Sequence, residues 1–227
     1  MTQAQYRSDF TVEVMDHMGD DLSPLRAARV STKGADSRTT EENDGLRRYL
    51  MREGHHVPFE HQVTTFYLEV PVFVSRQLVK HRISSISEES GRYRELDGVF
   101  YVPDGSRPVK QIGKTGAYQF EPDGGLYHVA AWNALESSKA AWNAYEHMLQ
   151  SGVAKEVARM VLPVNIYSSM YFTANTRSLF NLFTLRSSWG EGHPQYEIRE
   201  VADLMFSCWQ ELYPKTAEAW LQLREAS

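Results

Sequence analysis

The chain has one cysteine, no long apolar run and no excess of positive charge, and each shortage excludes a class of protein. The single cysteine, Cys208, excludes an internal disulfide and a zinc site built from several cysteines. No apolar segment approaches the roughly 20 residues that a membrane-spanning helix needs. A net charge of −5 at pH 7 argues against a protein that binds nucleic acid over its whole surface. No Gly-x-Gly-x-x-Gly turn follows a predicted strand, so a Rossmann nucleotide site is not indicated.

What is present is the composition of an ordinary globular protein. The 227 residues are 42% hydrophobic and 23% charged, which is enough for one sizeable core. We therefore expect a single domain over residues 1–227. The N-terminal residues lack the hydrophobic region of a signal peptide, which favours a soluble, cytoplasmic protein.

Apolar periodicity predicts an α+β fold, with an antiparallel sheet packed against several long helices. Alternating patterns predict strands at 10–15, 65–70, 99–102 and 164–172. Helical patterns predict helices that begin with Ser23 as the N-cap and Pro24 at the first position, and further helices at 44–53, 71–81, 126–150, 155–160, 175–186 and 195–213. The polar segments 35–43 and 103–125 are predicted to be loops. The apolar stripe of the longest helix, which includes Val129, Trp132, Trp142 and Tyr145, predicts a core or subunit contact.

A cationic stretch follows the predicted helix at 71–81. Lys80, His81 and Arg82 stand at its start, Arg92 and Arg94 at its end, and serines, glutamates and a glycine lie between them. Guanidinium groups bind phosphate through paired hydrogen bonds, and loop hydroxyls and amides fill the remaining positions. A solvated helix end with dipole-complementing cations explains the charge equally well.

A second polar cluster holds three histidines and a glutamate within residues 55–61. A metal site is the obvious hypothesis, but His55 and His56 are adjacent, and Pro58 prevents a helix that would align the ligands. We therefore expect no metal here.

The spacing of the cationic stretch resembles a family signature. Lys80-His81-Arg82, seven residues, then Ser90-Gly91-Arg92-Tyr93 is similar to the motif of the flavin-dependent thymidylate synthases. Lys80 stands where that family usually has arginine, and Ser87 where it usually has asparagine. Lysine keeps the positive charge but lacks the planar guanidinium with its paired N–H donors.

Three further segments carry the same resemblance. His55 followed by Pro58-Phe59-Glu60-His61 resembles the family, although Val57 replaces a residue that often carries a hydroxyl. Asn175, Arg177 and Asn181 match a flavin-contacting pattern, and Arg186 matches a nucleotide-contacting arginine. Residues 195–199 also look like the family.

The resemblance implies a reaction and its partners. It implies methylation of dUMP to dTMP, with 5,10-methylenetetrahydrofolate as carbon donor and NADPH as reductant through FAD. It also implies a homotetramer. A membrane or nucleic-acid partner is not expected.

The resemblance further implies site residues. Arg186 is the expected catalytic residue, because it would polarise the uracil carbonyl. The expected dUMP-binding residues are Gln77, Leu78, Val79, Lys80, Glu88, Glu89, Ser90, Gly91, Arg92, Arg159 and Arg186. The expected FAD-binding residues are Ser31, His55, Val57, Lys80, His81, Arg82, Glu88, Asn175, Thr176, Arg177 and Asn181. On a regular helix Arg177 and Asn181 share a face from which Arg186 points away, so this helix would serve two surfaces.

The expected mechanism needs no thiolate. Cys208 lies on the apolar stripe of the last predicted helix, where burial makes a thiol inert. Ser90 is a nucleophile in principle, but the sequence fixes no histidine base beside it, so a binding role is preferred. The alternatives are a non-catalytic nucleotide- or RNA-binding module that uses the basic loop from Lys80 to Arg94, and a histidine-metal hydrolase.

Overall fold

The computed structural model describes residues 3–30, 39–114 and 117–225, which divide into two compact units. The first unit comprises Met1–Phe10, Glu69–Arg76 and Glu88–Ser169. The second unit comprises Thr11–Leu68, Gln77–Ser87 and Met170–Ser227. The single domain expected over residues 1–227 stays a prediction.

Runs of strands and runs of helices follow one another along the described chain. The strands are β1 Gln5–Arg7, β2 Thr11–Met18, β3 Val63–Pro71, β4 Ser85–Glu88, β5 Val99–Tyr101, β6 Lys110–Lys114, β7 Ala117–Glu121 and β8 Tyr167–Asn175. The helices are α1 Ser23–Arg29, α2 Thr40–Arg52, α3 Val72–Leu78, α4 Gly124–Gln150, α5 Lys155–Ala158, α6 Thr176–Arg186, α7 Tyr196–Leu212 and α8 Pro214–Glu225. Short 3₁₀ helices lie at Val57–His61 and Arg159–Val161.

The first unit is built around the buried half of α4. The helix begins at an Asp123 cap, whose carboxylate accepts hydrogen bonds from the backbone N–H groups of Gly125 and Leu126. Trp142 and Tyr145 from its C-terminal half pack into a core with Phe100 of β5. A side chain at Gly98 would lie 2.6 Å from the Trp142 ring, so only glycine leaves room for that ring.

The second unit carries most of a four-stranded sheet with the order β2-β3-β8-β4. The hydroxyls of Thr65 and Thr173 lie 2.9 Å apart, and the rings of Tyr67 and Tyr171 are in contact at 5.9 Å. Residue numbers therefore rise along β3 as they fall along β8, so these two central strands are antiparallel. Aromatic rings from α6, α7 and α8 form the adjoining core, with Phe183, Trp209 and Trp220 almost completely buried.

Helix α8 is tied to the second unit at its first turn. Pro214 is its first residue, where proline is favoured because no intrahelical partner for an N–H is available. The Asp21 carboxylate accepts hydrogen bonds from the backbone N–H groups of Lys215, at 3.0 Å, and Thr216, at 2.8 Å. It also accepts one from the Thr216 hydroxyl at 2.8 Å. One carboxylate thus satisfies the unpaired donors at the start of this helix.

The α+β class, the antiparallel sheet and most of the predicted elements are confirmed. Several boundaries were wrong. Leu22, not Ser23, is the N-cap of α1. Helix α2 begins at Thr40, inside the predicted loop, because Thr39 and Glu42 form a capping box. Helix α3 ends at Leu78, so Lys80 and His81 lie beyond it.

Two further parts of the fold were not predicted correctly. The predicted loop at 103–125 contains the antiparallel β6–β7 hairpin. The prediction also missed α8. Trp132 and Val129 are 66% and 60% exposed, so the N-terminal half of the α4 stripe does not lie in the core of this chain, and the subunit contact expected as its other role stays a prediction. Within the described ranges, no helix combines the length and the apolar character that crossing a membrane requires.

Candidate functional site

A cavity of about 820 Å³ lies within the second unit. Four stretches of chain form its walls: the end of α2 with the 3₁₀ helix after it, the segment after α3, the first turns of α6, and α8. Its lining residues are Met51, His56, Glu60, Lys80, His81, Arg82, Ile83, Asn175, Arg177, Ser178, Phe180, Asn181, Thr184, Trp220, Leu223 and Arg224. The volume is within the usual range for small-molecule and cofactor sites.

Four cationic side chains line this cavity. Lys80 and Arg82 form no ion pair with any residue of the described ranges. Arg177 pairs with Glu60 at 2.6 Å, and Arg224 pairs with Glu191 at 2.5 Å while donating to the Thr184 hydroxyl at 2.6 Å. The cavity therefore holds more positive than negative charge, which suits an anionic ligand.

One wall of the cavity is aromatic. The rings of Phe180 and Trp220 lie nearly parallel, with centroids 6.4 Å apart, and the Arg224 guanidinium lies 5.2 Å from the centre of the Trp220 ring. His56 meets Phe180 edge to face at 5.6 Å. The His56 Nε2 is buried without a hydrogen-bond partner, and burial lowers the pKa of this imidazole. Phe180 and Trp220 are 4% and 1% exposed, so they form an apolar backing to this wall.

Helix α6 presents two of its polar side chains to this cavity from one face. Arg177 and Asn181 are one turn apart, as their spacing predicted. Asn175 is the N-cap of the helix, and its side-chain oxygen accepts a hydrogen bond from the Ser178 N–H at 2.9 Å. Its amide N–H₂ has no partner among the residues that the structure describes. Thr176 is fully buried, and its hydroxyl accepts a hydrogen bond from the Trp209 indole at 3.1 Å, so its side chain serves the core.

His81 connects this cavity to Arg186. The Arg186 Nε–H donates a hydrogen bond to the His81 Nε2 at 3.4 Å. Burial, and then the charge of Arg186, lower the pKa of His81 to about 4, so this imidazole is neutral at pH 7. Arg186 does not line the cavity, which agrees with its predicted departure from the Arg177 face, yet it lies one hydrogen bond from a residue that does.

Besides Thr176 and Glu88, which also do not line the cavity, three of the expected FAD-binding residues lie elsewhere or are not described. His55 is exposed and contacts the Tyr49 ring at 5.9 Å, and Val57 is 60% exposed. Neither is among the residues that line the cavity. Ser31 falls outside the described residues.

Three of the expected dUMP-binding residues lie at the end of α3, just before Lys80. Gln77 donates a hydrogen bond to the Gln195 side-chain oxygen at 2.8 Å, and Gln195 in turn donates to the buried Glu197 carboxylate at 2.8 Å. Leu78 is fully buried, so its side chain belongs to the core, whereas Val79 is 40% exposed. The family-like segment at 195–199 thus fixes the Gln77 amide.

The expected phosphate-binding residues Ser90, Gly91 and Arg92 lie in the first unit, in the loop after β4. The Arg92 N–H donates to the Ser90 hydroxyl at 3.3 Å, and the Arg92 guanidinium pairs with Glu156 at 3.0 Å. A side chain at Gly91 would lie 3.2 Å from the Arg159 Cδ. Glycine therefore allows the stem of Arg159 to pack against this loop. Arg159 is exposed and has no ion pair within the described ranges.

Glu88 and Glu89 differ in what they contact. Glu88 is exposed, and its carboxylate accepts a hydrogen bond from the Ser75 hydroxyl at 3.3 Å. The Glu89 N–H donates a hydrogen bond to the Ser169 carbonyl oxygen, and the Glu89 carboxylate accepts one from the Ser169 N–H. The same carboxylate lies 3.6 Å from the Arg94 guanidinium. Glu89 therefore anchors the loop in the first unit, and its carboxylate is already engaged.

The structure thus gathers six of the eleven expected FAD-binding residues at one cavity: Lys80, His81, Arg82, Asn175, Arg177 and Asn181. Sequence reasoning missed much of the opposite wall. His56 and Glu60 stand within a segment that the motif did identify, whereas Trp220 and Arg224 lie on the helix that was not predicted. Within the described ranges, no three histidine, cysteine, aspartate or glutamate side chains are grouped to hold a metal ion.

Comparisons with known proteins agree over most of the chain. A family model described as "Thymidylate synthase complementing protein" matches residues 13–215. A protein of Tropheryma whipplei (strain TW08/27) named flavin-dependent thymidylate synthase is 43% identical over 224 residues, covering 95% of this chain and 93% of its own. One of the same name from Streptomyces avermitilis is 44% identical over 226 residues, covering 95% and 92%.

Solved structures match as well. Crystal structures of a UMP/dUMP methylase PolB from Streptomyces cacaoi, bound with 5-Br UMP or with 5-Br dUMP, have TM-scores of 0.89 and 0.90. Their sequence identities are 41% and 40%, and the matches cover 97% and 96% of this chain and 97% of each PolB chain. The chain therefore belongs to the family of flavin-dependent thymidylate synthases.

Proposed function

We propose that this member of a methyltransferase family converts dUMP to dTMP by reductive methylation. The proposed carbon donor is 5,10-methylenetetrahydrofolate, and the proposed reductant is NADPH acting through FAD. Support comes from the names of the relatives and from the two similar methylase structures, which were bound with 5-Br UMP and 5-Br dUMP.

The observation that carries the proposal is the charge and shape of the cavity in the second unit. FAD has a diphosphate, a flat flavin ring and an adenine. Lys80 and Arg82 offer unpaired positive charge to phosphate oxygens, and Phe180 with Trp220 offers an apolar wall to a ring. The buried, unpartnered His56 Nε2 is a polar atom without a protein partner at this wall. The residues present therefore fit this cofactor.

Within this cavity each side chain has a separate task. Lys80, Arg82 and Arg177 bind the negatively charged groups of the ligand. The Asn175 and Asn181 amides supply hydrogen-bond donors and acceptors. When bound, FAD supplies the hydride chemistry that the protein side chains lack. The enclosing wall of Phe180, Trp220 and Leu223 excludes water from a ring held against it. The remaining proposed contacts lie outside the cavity wall or outside the described residues: His55, Val57, Glu88, Thr176 and Ser31.

Arg186 is proposed to stabilise charge on the substrate. Its Nε is bound to His81, and its two terminal nitrogens have no partner within the described ranges. A guanidinium held in one orientation places its remaining donors where a uracil carbonyl gains negative charge. Gln77 in the last turn of α3 and Lys80 in the segment after it are proposed to assist.

In the first unit, we propose that the loop at Ser90, Gly91 and Arg92 binds the nucleotide phosphate together with Arg159. The packing of Arg159 against Gly91 brings cations that are 67 positions apart in the chain to one loop. The Ser90 hydroxyl already accepts a hydrogen bond from the Arg92 N–H, which orders the loop for anion binding. A binding role for Ser90 is proposed, rather than a nucleophilic one.

The proposed route needs no cysteine nucleophile. Burial raises the pKa of the Cys208 thiol, and its sulfur lies 3.9 Å from the Val12 carbonyl oxygen. A thiol in that setting is a poor nucleophile.

Three further properties are proposed with the function. We propose that residues 1–227 act as one domain, that four copies assemble into a homotetramer, and that the protein works in the cytoplasm. Light scattering on the purified protein measures the assembly directly.

Three measurements test the proposed function. The purified protein is expected to be yellow, or to become so with added FAD, and its flavin spectrum to bleach anaerobically with NADPH and return in air. It is expected to release tritium from the C5 position of labelled dUMP only when methylenetetrahydrofolate is present. Arg186→Ala is expected to lose nearly all turnover while still binding FAD, whereas Arg52→Ala, a surface arginine of the same unit, keeps both.

Two outcomes contradict the proposal. A colourless protein that takes up no FAD but binds RNA with strong salt dependence would instead support a nucleic-acid-binding module. Full turnover by Arg186→Ala would remove the catalytic role from that residue.

A further inference from the structure

His81 stands where the cavity wall meets Arg186. It lines the cavity of the second unit, and its Nε2 accepts the hydrogen bond from the Arg186 Nε at 3.4 Å. The His81 Nδ1 has no hydrogen-bond partner within the described ranges. This atom is also not buried, unlike the His56 Nε2. One ring nitrogen is therefore engaged with Arg186, and the other is accessible.

The chemistry of arginine fixes the proton on this imidazole. A guanidinium has only donors, so the ring nitrogen that it contacts must be the acceptor. The neutral imidazole carries one proton, which must then sit on Nδ1. His81 consequently offers the cavity an N–H donor without offering it a positive charge.

The surroundings of His81 favour this neutral form. Arg186 and Arg177 of α6, Lys80 and Arg82 of its own segment, and Arg224 of α8 all add positive charge. The lining carboxylate, Glu60, is already paired with Arg177. The low pKa of His81, caused by burial and then by Arg186, agrees with this reasoning.

We propose that His81 is a positioning residue with one fixed tautomer: its Nε2 holds the Arg186 guanidinium, and its Nδ1–H donates to a carbonyl oxygen or ring nitrogen of a heteroaromatic ligand in the cavity. This inference rests on the proposed function, because the ligand is taken to be the flavin ring of FAD. It adds a physical link between occupation of the cavity and the placement of Arg186, which lies outside that cavity.

Two substitutions test the roles of the two His81 ring nitrogens separately. A glutamine amide reaches about as far as Nε2, and an asparagine amide about as far as Nδ1. His81→Gln is therefore expected to keep a partner for Arg186 but to weaken FAD binding, whereas His81→Asn keeps the ligand contact but releases Arg186. Hydrogen bonds of this kind predict about tenfold effects.

The assay measures FAD dissociation constants by flavin fluorescence, and kcat at saturating FAD. We expect the dissociation constant of His81→Gln to rise about tenfold above that of His81→Asn, and kcat of His81→Asn to fall about tenfold below that of His81→Gln. His128→Gln, a surface substitution on α4, serves as the matched control. Equal losses in both variants, or no loss in either, would overturn the assignment.

A direct measurement on the wild-type chain decides the matter even if a variant fails to fold. With ¹⁵N-labelled histidine, NMR of the full chain with and without FAD is expected to show His81 protonated at Nδ1 and unprotonated at Nε2. The opposite tautomer, or a doubly protonated ring at pH 7, would refute the inference. A wild-type protein that binds no FAD would instead refute the proposed function and leave this tautomer measurable.

Discussion

Replacing Asp21 by alanine is predicted to loosen α8 and with it one wall of the cavity. The Asp21 carboxylate accepts three hydrogen bonds at the start of this helix, two from backbone N–H groups and one from the Thr216 hydroxyl. Thr216 is fully buried, so its hydroxyl proton cannot turn to water once the carboxylate is gone. The helix follows directly from the buried Tyr213, which leaves few alternative partners at this end.

The magnitude follows from these contacts. Loss of an N-terminal cap costs about 1 kcal/mol, and loss of a carboxylate at the positive end of the helix dipole adds about 0.5 kcal/mol. A buried hydroxyl without an acceptor adds about 1 kcal/mol more. We therefore expect the free energy of unfolding to fall by about 2–3 kcal/mol, which corresponds to a melting temperature lower by about 5–10 °C in a protein of this size.

Urea unfolding of the FAD-free protein measures this change. Asp21→Asn keeps one oxygen acceptor and is expected to lose about 1 kcal/mol, whereas Asp16→Ala, an exposed carboxylate on β2, is expected to lose almost nothing. FAD affinity should fall with Asp21→Ala, because α8 supplies Trp220 and Arg224 to the wall. The reasoning is refuted if Asp21→Ala unfolds at the wild-type urea concentration, or if the asparagine and alanine variants are equally unstable.

Three further outcomes are expected. Arg177→Ala breaks the ion pair with Glu60, whose partners are 51% and 40% exposed, so the free energy of unfolding changes by less than about 1 kcal/mol in urea unfolding, while FAD affinity measured by fluorescence falls about tenfold. The pKa of His81 is lowered from 6.5 to about 4, so between these values the unfolded chain binds a proton that the folded chain does not. The free energy of unfolding should therefore fall as the pH drops from 6.5 towards 4, and His81→Gln should reduce that slope; an unchanged slope would contradict the pKa. Cys208→Ala should keep full tritium release, and loss of turnover would indicate a thiolate mechanism.

The parts of the fold that were predictable are those with strong local signals. The alternation in β2, β3 and β8 and the long pattern of α4 identify these elements without any tertiary information. The α4 stripe was predicted to contact the core or another subunit. Trp142 lies in the core whereas Trp132 is exposed, because periodicity identifies an apolar face and not what covers it. Burial of one half of a helix depends on neighbours such as Gly98, which local patterns do not reveal.

The parts that were not predictable depend on contacts between distant residues. The sequence of α8 has a weak apolar pattern, and its start is fixed by Asp21, 194 residues earlier than Lys215. Strands β6 and β7 have five residues each, and Ile112 is the one apolar side chain of β6, so the hairpin offers too short a pattern to detect. Helix α3 ends early because the chain turns after Leu78, with the His81 N–H donating to the Leu78 carbonyl.

The candidate site was identified in part for the same reason. Lys80, His81, Arg82, Arg177 and Asn181 were identified through motif spacing, and the structure places them around one cavity. The hydrogen bond that joins His81 to Arg186 spans 105 residues and has no sequence signal. Nor does any pattern indicate that His56 rather than His55 lines the cavity, since adjacent residues differ only in the direction that the folded backbone gives them.

The position of Trp220 and Arg224 has a practical consequence for anyone who makes this protein. Both residues stand on α8, so a molecule in which α8 has not docked lacks this part of the cavity wall. With FAD as the proposed ligand, yellow colour retained by the purified protein would report that α8 has docked.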